Sequence, residues 1–199
     1  MTPPLTGGIL AGGRGSRMGG IDKGLVTLHG KPLIAHVIEQ LAPQVDTLLI
    51  NANRNIAQYA AFGHPIVRDQ LDGHQGPLAG FAALLDACKT DWLVTAPCDG
   101  PCLPPDLAAR LWQARKTANA DIAVAHDGQR LQPVHALLPR RLLPDLQDWL
   151  ARGERKIALW YAQHHYVHAD FSDCAEVFQN LNTPEERQAA EQAINPGFR

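Results

Sequence analysis

The segment LAGGRGSRMGGIDKG, Leu10 to Gly24, follows a short apolar run, Gly7-Gly8-Ile9-Leu10, that suits only a brief strand. In it Gly12, Gly13, Gly15, Gly19, Gly20 and Gly24 are interleaved with Arg14, Arg17 and Lys23. Glycine admits positive φ and close approach to a ligand because no Cβ stands in the way. A turn of such residues aims successive backbone N–H groups into one concavity, which suits an anion. Three cations on the same loop imply an anion of high charge, and a triphosphate is the reading that follows. Lys23 would hold it as a compact point charge, and Arg17 as a fork able to grip two oxygens.

Two other phosphate loops fail against this segment. A Walker loop needs Gly-Lys followed by Ser or Thr; here Lys23 precedes Gly24 and Lys31 precedes Pro32. The dinucleotide fingerprint needs G-x-G-x-x-G and an acidic residue closing the second strand. Gly13-x-Gly15 begins it, but Met18 stands where the last glycine belongs and the second strand ends in Asn51.

The chain has 199 residues, 45% apolar and 19% charged, with a formal net charge of −2. These values suit one soluble domain over 1–199 with a sizeable core. No global basic field exists to draw in nucleic acid or anionic lipid, so any anion site is local. The N-terminus lacks the basic and apolar regions of a signal peptide. No apolar run nears the roughly 20 residues that span a bilayer. Cys88, Cys98, Cys102 and Cys174 make no disulfide framework, which points to the cytoplasm. Cys98 and Cys102 lack the partner spacing of a zinc site, and His164, His165 and His168 on one strand would split between its faces.

Outward from the loop, residues 26–28 read as a short extended piece, followed by a turn over 29–32. Pro32 should open a helix with Leu33, Ile34, Val37, Ile38 and Leu41 on its buried face, ended by Pro43. Strands are predicted at 47–51, 65–68 and 92–96, with helices over 56–61, from Pro77, and over 105–117. Strands at 121–125 and 132–138 follow, the second antiparallel and joined to the first through Asp127-Gly128. Residues 140–150 and 156–163 read as helices and 164–170 as a strand. Thr183-Pro184-Glu185-Glu186 reads as a capped helix start, running to about Ile194. Alternating strands and helices predict a three-layer Rossmann-like α/β fold: a mostly parallel twisted sheet with helices on both faces.

Four of these strands end in polar residues or the glycine loop, and all should share one sheet edge, where ligands of such sheets bind. Asn51 ends the second, Asp69 the third and Asp99 the fourth. Asn51 and Asp69 could read a base, since guanine offers a pair of donors on one edge. Asp99 is the best Mg²⁺ ligand, a hard carboxylate whose metal would be completed by phosphates and water. The competing reading makes Asp99 a helix cap near Pro101 and Pro104.

These residues carry a family resemblance. LAGGRGSRMGG-x-DKGL resembles the signature loop of the molybdenum cofactor guanylyltransferases, MobA-like nucleotidyltransferases with a Rossmann-like domain. Gly76-Pro77-Leu78-Ala79-Gly80, Pro97-Cys98-Asp99-Gly100-Pro101 and Asn180-Leu181-Asn182-Thr183-Pro184 are similar to its other motifs in order. The resemblance implies GTP contacts at Leu10, Ala11, Gly12, Gly13, Lys23, Asn51, Asp69 and Asp99, with Mg²⁺ at Asp99. It sets Gly80, Asn180 and Asn182 nearer a molybdopterin substrate. It implies GMP transfer from GTP to molybdopterin by a cytoplasmic monomer, with transient contact to cofactor-biosynthesis or molybdoenzyme delivery proteins. Catalysis would fall to Lys23, Asp99 and Arg17. Gly12, without a Cβ, would leave room for a purine where a pterin cytidylyltransferase carries alanine. Three rivals stand beside this reading: that cytidylyltransferase, a sugar-phosphate nucleotidyltransferase, and a non-catalytic nucleotide-binding regulator.

Overall fold

A computed structural model describes residues 2–13, 22–70 and 76–179. Arg17, Asn180, Asn182 and the helix predicted from Thr183 lie outside the described residues. The first part of the chain runs β1 (Leu5–Leu10), β2 (Thr27–Leu28), β3 (Lys31–Pro32), α1 (Leu33–Leu41), β4 (Thr47–Asn51), α2 (Ile56–Ala60), β5 (Ile66–Val67) and α3 (Pro77–Ala87). It continues with β6 (Trp92–Pro97), α4 (Leu107–Ala118), β7 (Ile122–His126), β8 (Leu131–Pro139), α5 (Leu143–Ala151), α6 (Ile157–Tyr161) and β9 (Tyr166–Asp170).

Seven strands form one sheet in the order β5-β4-β1-β6-β8-β7-β9. Only β8 is antiparallel to its neighbours; β5, β4, β1 and β6 are mutually parallel, as are β7 and β9. Alternation along the strands sends side chains to two cores. Val94 and Ala96 of β6 and Ala123 and Ala125 of β7 meet α1 and α4. Leu93, Ile122 and Val124 meet α3, α5 and α6 on the opposite face. The predicted three layers are therefore the ones found.

Several boundaries moved for local reasons. Residues 26–32 form a β2–β3 hairpin around His29 and Gly30, both at positive φ (50° and 76°), as a two-residue hairpin turn requires. That hairpin holds Pro32 extended (ψ 141°), and the Leu33 amide donates to the Val26 carbonyl at 2.8 Å. Pro32 thus sits just ahead of α1 and not in its first turn. The predicted helix over 140–150 divides into a 3-10 turn at Arg140–Leu142 and α5, whose first turn contains Pro144. The predicted strand over 164–170 begins only at Tyr166; His164 is held at Asp145 (3.0 Å), and the His165 carbonyl accepts from the Asp121 and Ile122 amides at the start of β7. Among the described residues no His, Cys, Asp and Glu cluster could hold a metal through three of its side chains. A 3-10 stretch, Ser172–Phe178, carries no periodic signal; its Phe178 seats edge-on against Phe171 and His135.

One buried carboxylate fixes where the chain re-enters after the glycine segment. Asp22 is 8% exposed. It accepts the Tyr59 hydroxyl at 2.5 Å and the Asn55 side-chain amide at 2.9 Å, with the Arg54 guanidinium 3.3 Å away. A buried charge persists only when it is paired and hydrogen-bonded in this way. Burial, then the neighbouring Cys98 and Asp22, push the Tyr59 hydroxyl far above its ordinary range, so it stays protonated and donates. Tyr59→Phe should therefore cost about 1.5–3 kcal/mol of stability, as for a hydrogen bond to a charged group. The shift in urea midpoint measures it.

His135 is the other buried ionisable group with a consequence. Desolvation alone holds it neutral, with its pKa pushed down to about 3. An unfolded histidine titrates near 6.5. As pH falls from about 6.5 toward 3 the unfolded chain takes up a proton that the folded chain refuses, so stability is lost across that window. In His135→Leu the urea midpoint should fall less steeply between pH 6.5 and 4 than in the parent.

Candidate functional site

The four parallel strands β5, β4, β1 and β6 deliver their carboxyl ends to one edge. Backbone bonds carry the ladder past those ends: the Ala11 amide donates to the Asn51 carbonyl (2.8 Å), Cys98 to Leu10 (3.1 Å) and Ala52 to Val67 (3.0 Å). Gly12, Asn51, Asp69 and Asp99 are thereby held near one another. A cleft of about 190 Å³ opens there, lined by Leu10, Gly12, Gly13, Asn51, Asp69, Gly76, Pro77, Pro97 and Val134. A larger depression, about 370 Å³, lies at the opposite ends of the same strands. It has no glycine segment and lies away from the carboxyl ends where ligands of parallel sheets bind, so the smaller cleft is the candidate site.

Lys23 stands in a 3-10 turn, Lys23–Leu25, immediately after the anchored Asp22. Its Nζ lies 3.2 Å from Asp99 Oδ2, and the two side chains are 26% and 15% exposed. Asp99 follows β6 and caps no helix: α4 begins at Leu107, preceded by Asp106. Its other oxygen makes no hydrogen bond among the described residues. A hard carboxylate oxygen open to the strand edge fits a Mg²⁺ that takes most of its other positions from phosphate and water. Cys98 beside it is no nucleophile. Burial, then the charges of Asp99 and Asp22, push its thiol well up, away from thiolate.

Asn51 and Asp69 meet directly. Asn51 donates from Nδ2 to Asp69 Oδ1 (2.8 Å) and to the Val67 carbonyl (3.3 Å). Both partners are pure acceptors, so the amide can only turn its NH₂ toward them, and Asn51 Oδ1 faces the other way. There it is wedged between two glycines. A Cβ on Gly80 of α3 would lie 2.6 Å from that oxygen, and one on Gly12 would lie 3.0 Å from it. The Gly12 Cβ would also stand 2.8 Å from Asn53 Nδ2. The missing side chain at Gly12 thus admits two protein amides. Gly80 belongs to the same wall. Ala11 contributes backbone only, its methyl buried in the α1–α4 core.

Asp22, Tyr59 and Asn53 escaped the sequence reading. Asn53 was within reach of it: two residues past Asn51 on extended chain, it falls on the same face. The partners of Asp22 lie more than thirty residues away, and no local pattern announces them.

A model of the MobA-like NTP transferase domain matches residues 7–169. A protein of Shewanella loihica named molybdenum cofactor guanylyltransferase is 47% identical over 98% of this chain and 99% of its own. A Vibrio cholerae protein of the same name is 53% identical over 89% of this chain and 87% of its own. In fold, the chain is similar to the crystal structure of molybdopterin-guanine dinucleotide biosynthesis protein A from Archaeoglobus fulgidus. The TM-score is 0.79, with 24% identity over 94% of this chain and 97% of that one. With its fold and most of its length matched in this way, the chain belongs to the MobA-like NTP transferase family.

Proposed function

We propose that this protein is a molybdenum cofactor guanylyltransferase, moving GMP from GTP to the terminal phosphate of molybdopterin and releasing pyrophosphate. The observation that carries the reading is the 3.2 Å pairing of Lys23 with Asp99 beside the glycine turn. The names of the two relatives supply the substrate pair. An oxygen of the acceptor phosphate bonds to the α-phosphorus, the bond to the bridging oxygen of the β-phosphate breaks, and pyrophosphate leaves with that electron pair. The nucleophile is already an anion, so no general base is assigned. The protein's work is alignment and charge stabilisation.

Lys23 exchanges Asp99 for the triphosphate and offsets the charge that grows on the departing oxygens. The amides of the turn at Gly12 and Gly13 cradle the phosphates. Asp99 would hold Mg²⁺, which when bound neutralises phosphate charge. Arg17 would add a second cation, and Asn180 and Asn182 the pterin side.

The guanine reading rests on the polarity of the cleft. The carboxylate of Asp69, whose oxygens each keep a lone pair beyond the Asn51 and Asn53 amides, offers acceptors and no donor. Guanine meets acceptors with N1–H and N2–H₂. The corresponding edge of cytosine has one donor group and two acceptors, and its acceptors would face acceptors.

With molybdopterin, Mg²⁺ and either GTP or CTP, mass spectrometry of the product should find the guanine dinucleotide and matching pyrophosphate. A cytosine dinucleotide in preference would overturn the base assignment, and no pyrophosphate above background would overturn the enzyme. Lys23→Ala and Asp99→Ala should each lower kcat by roughly 10²–10³-fold, with circular dichroism unchanged. Chelation of divalent metal should stop turnover and added Mg²⁺ restore it.

A further inference from the structure

Asp69 is held by more than Asn51. Asn53 donates from Nδ2 to Asp69 Oδ2 at 2.8 Å, and the Asp69 backbone amide donates to Asn53 Oδ1 at 2.9 Å. The two bonds close a ring between a side-chain amide and the residue it grips. With Asn51 on Oδ1, each carboxylate oxygen has one amide hydrogen and at least one lone pair left. A carboxylate on a strand end turns freely about its last bond; this one is fixed at both oxygens.

We propose that Asn53 is a positioning residue that sets nucleobase choice by locking the rotation of the Asp69 carboxylate. The inference rests on the reading of the cleft as a guanine site and extends it to a residue that need not touch the base. Recognition of N1–H and N2–H₂ together requires both carboxylate lone pairs to lie in the plane of the base. A locked carboxylate meets that demand before the nucleotide arrives. A free one loses rotational freedom on binding, and loses most where two bonds must form at once. Asn53 also fixes Asn51 indirectly: once Asp69 is still, the Asn51 amide has one orientation that satisfies both of its acceptors.

The chemistry points to a comparison of GTP with inosine triphosphate, which lacks only the 2-amino group. Calorimetric binding of the two to the parent protein, Asn53→Ala and Asn53→Asp separates the possibilities. The parent should prefer GTP. Asn53→Ala should weaken GTP by roughly tenfold and inosine triphosphate much less, so the preference narrows. Asn53→Asp, of equal size but with no hydrogen to give and a like charge beside Asp69, should narrow it as far or further. A stability effect alone would weaken both nucleotides equally. Equal losses in both variants, with the parent's preference intact, would overturn the role of Asn53 and leave the guanine site standing. A parent that binds the two nucleotides alike would overturn the guanine reading, and this inference with it.

Discussion

The site depends on a parallel ladder that does not stop where β1 stops. The Ala11 amide bonds to the Asn51 carbonyl on one side, and the Leu10 carbonyl accepts from Cys98 on the other. These two bonds fix the entry to the glycine turn against the ends of β4 and β6 in one register. A slip of one residue would reverse the faces of the strand, since side chains alternate with period two. Asn51 would then turn into the α1 core and Ala11 toward the cleft. The fold and the site are thus specified by the same hydrogen bonds.

The charges of the site are arranged locally, as a chain of net charge −2 requires. Two of its carboxylates, Asp22 and Asp99, are paired with cations in advance. Asp22 is enclosed by Tyr59, Asn55 and Arg54, and it anchors the backbone that carries Lys23. Lys23 faces Asp99. In the proposed reaction neither ion is stranded when that pair opens. Lys23 would pass to an anionic phosphate, and Asp99 would be left to hold Mg²⁺. A partly buried ion deprived of a partner is costly, so an exchange of partners is a cheaper route to binding than a simple separation.

Much of this was legible in the sequence, for identifiable reasons. The alternation of apolar strands with helical stripes at 33–41 and 77–87 fixed the layers, because period 2 and period 3.6 are hard to confuse over such lengths. Polar residues at strand ends marked the edge, because parallel strands must share one. What was not legible depends on three-dimensional neighbours. The hairpin at 27–32 is too short for a period and rests on the φ of His29 and Gly30. Ser172–Phe178 earns its place through Phe178 against Phe171 and His135. Glycine at position 12 signals a close approach, and Asn51 and Asn53 come within reach of it. A missing side chain tells that something approaches, and not what.

That last point joins two recognitions usually treated apart. Gly12 opens the segment proposed to cradle phosphate, and its bare Cα also backs the amides that hold Asp69. A methyl group there could not be absorbed by one neighbour alone. Asn51 is already confined by Gly80 behind it and by the Val67 carbonyl and Asp69 ahead. The displacement would pass through Asn53 to the carboxylate. The proposed phosphate cradle and base-reading edge would therefore share the Gly12 wall, so that a side chain placed there is felt at Asp69.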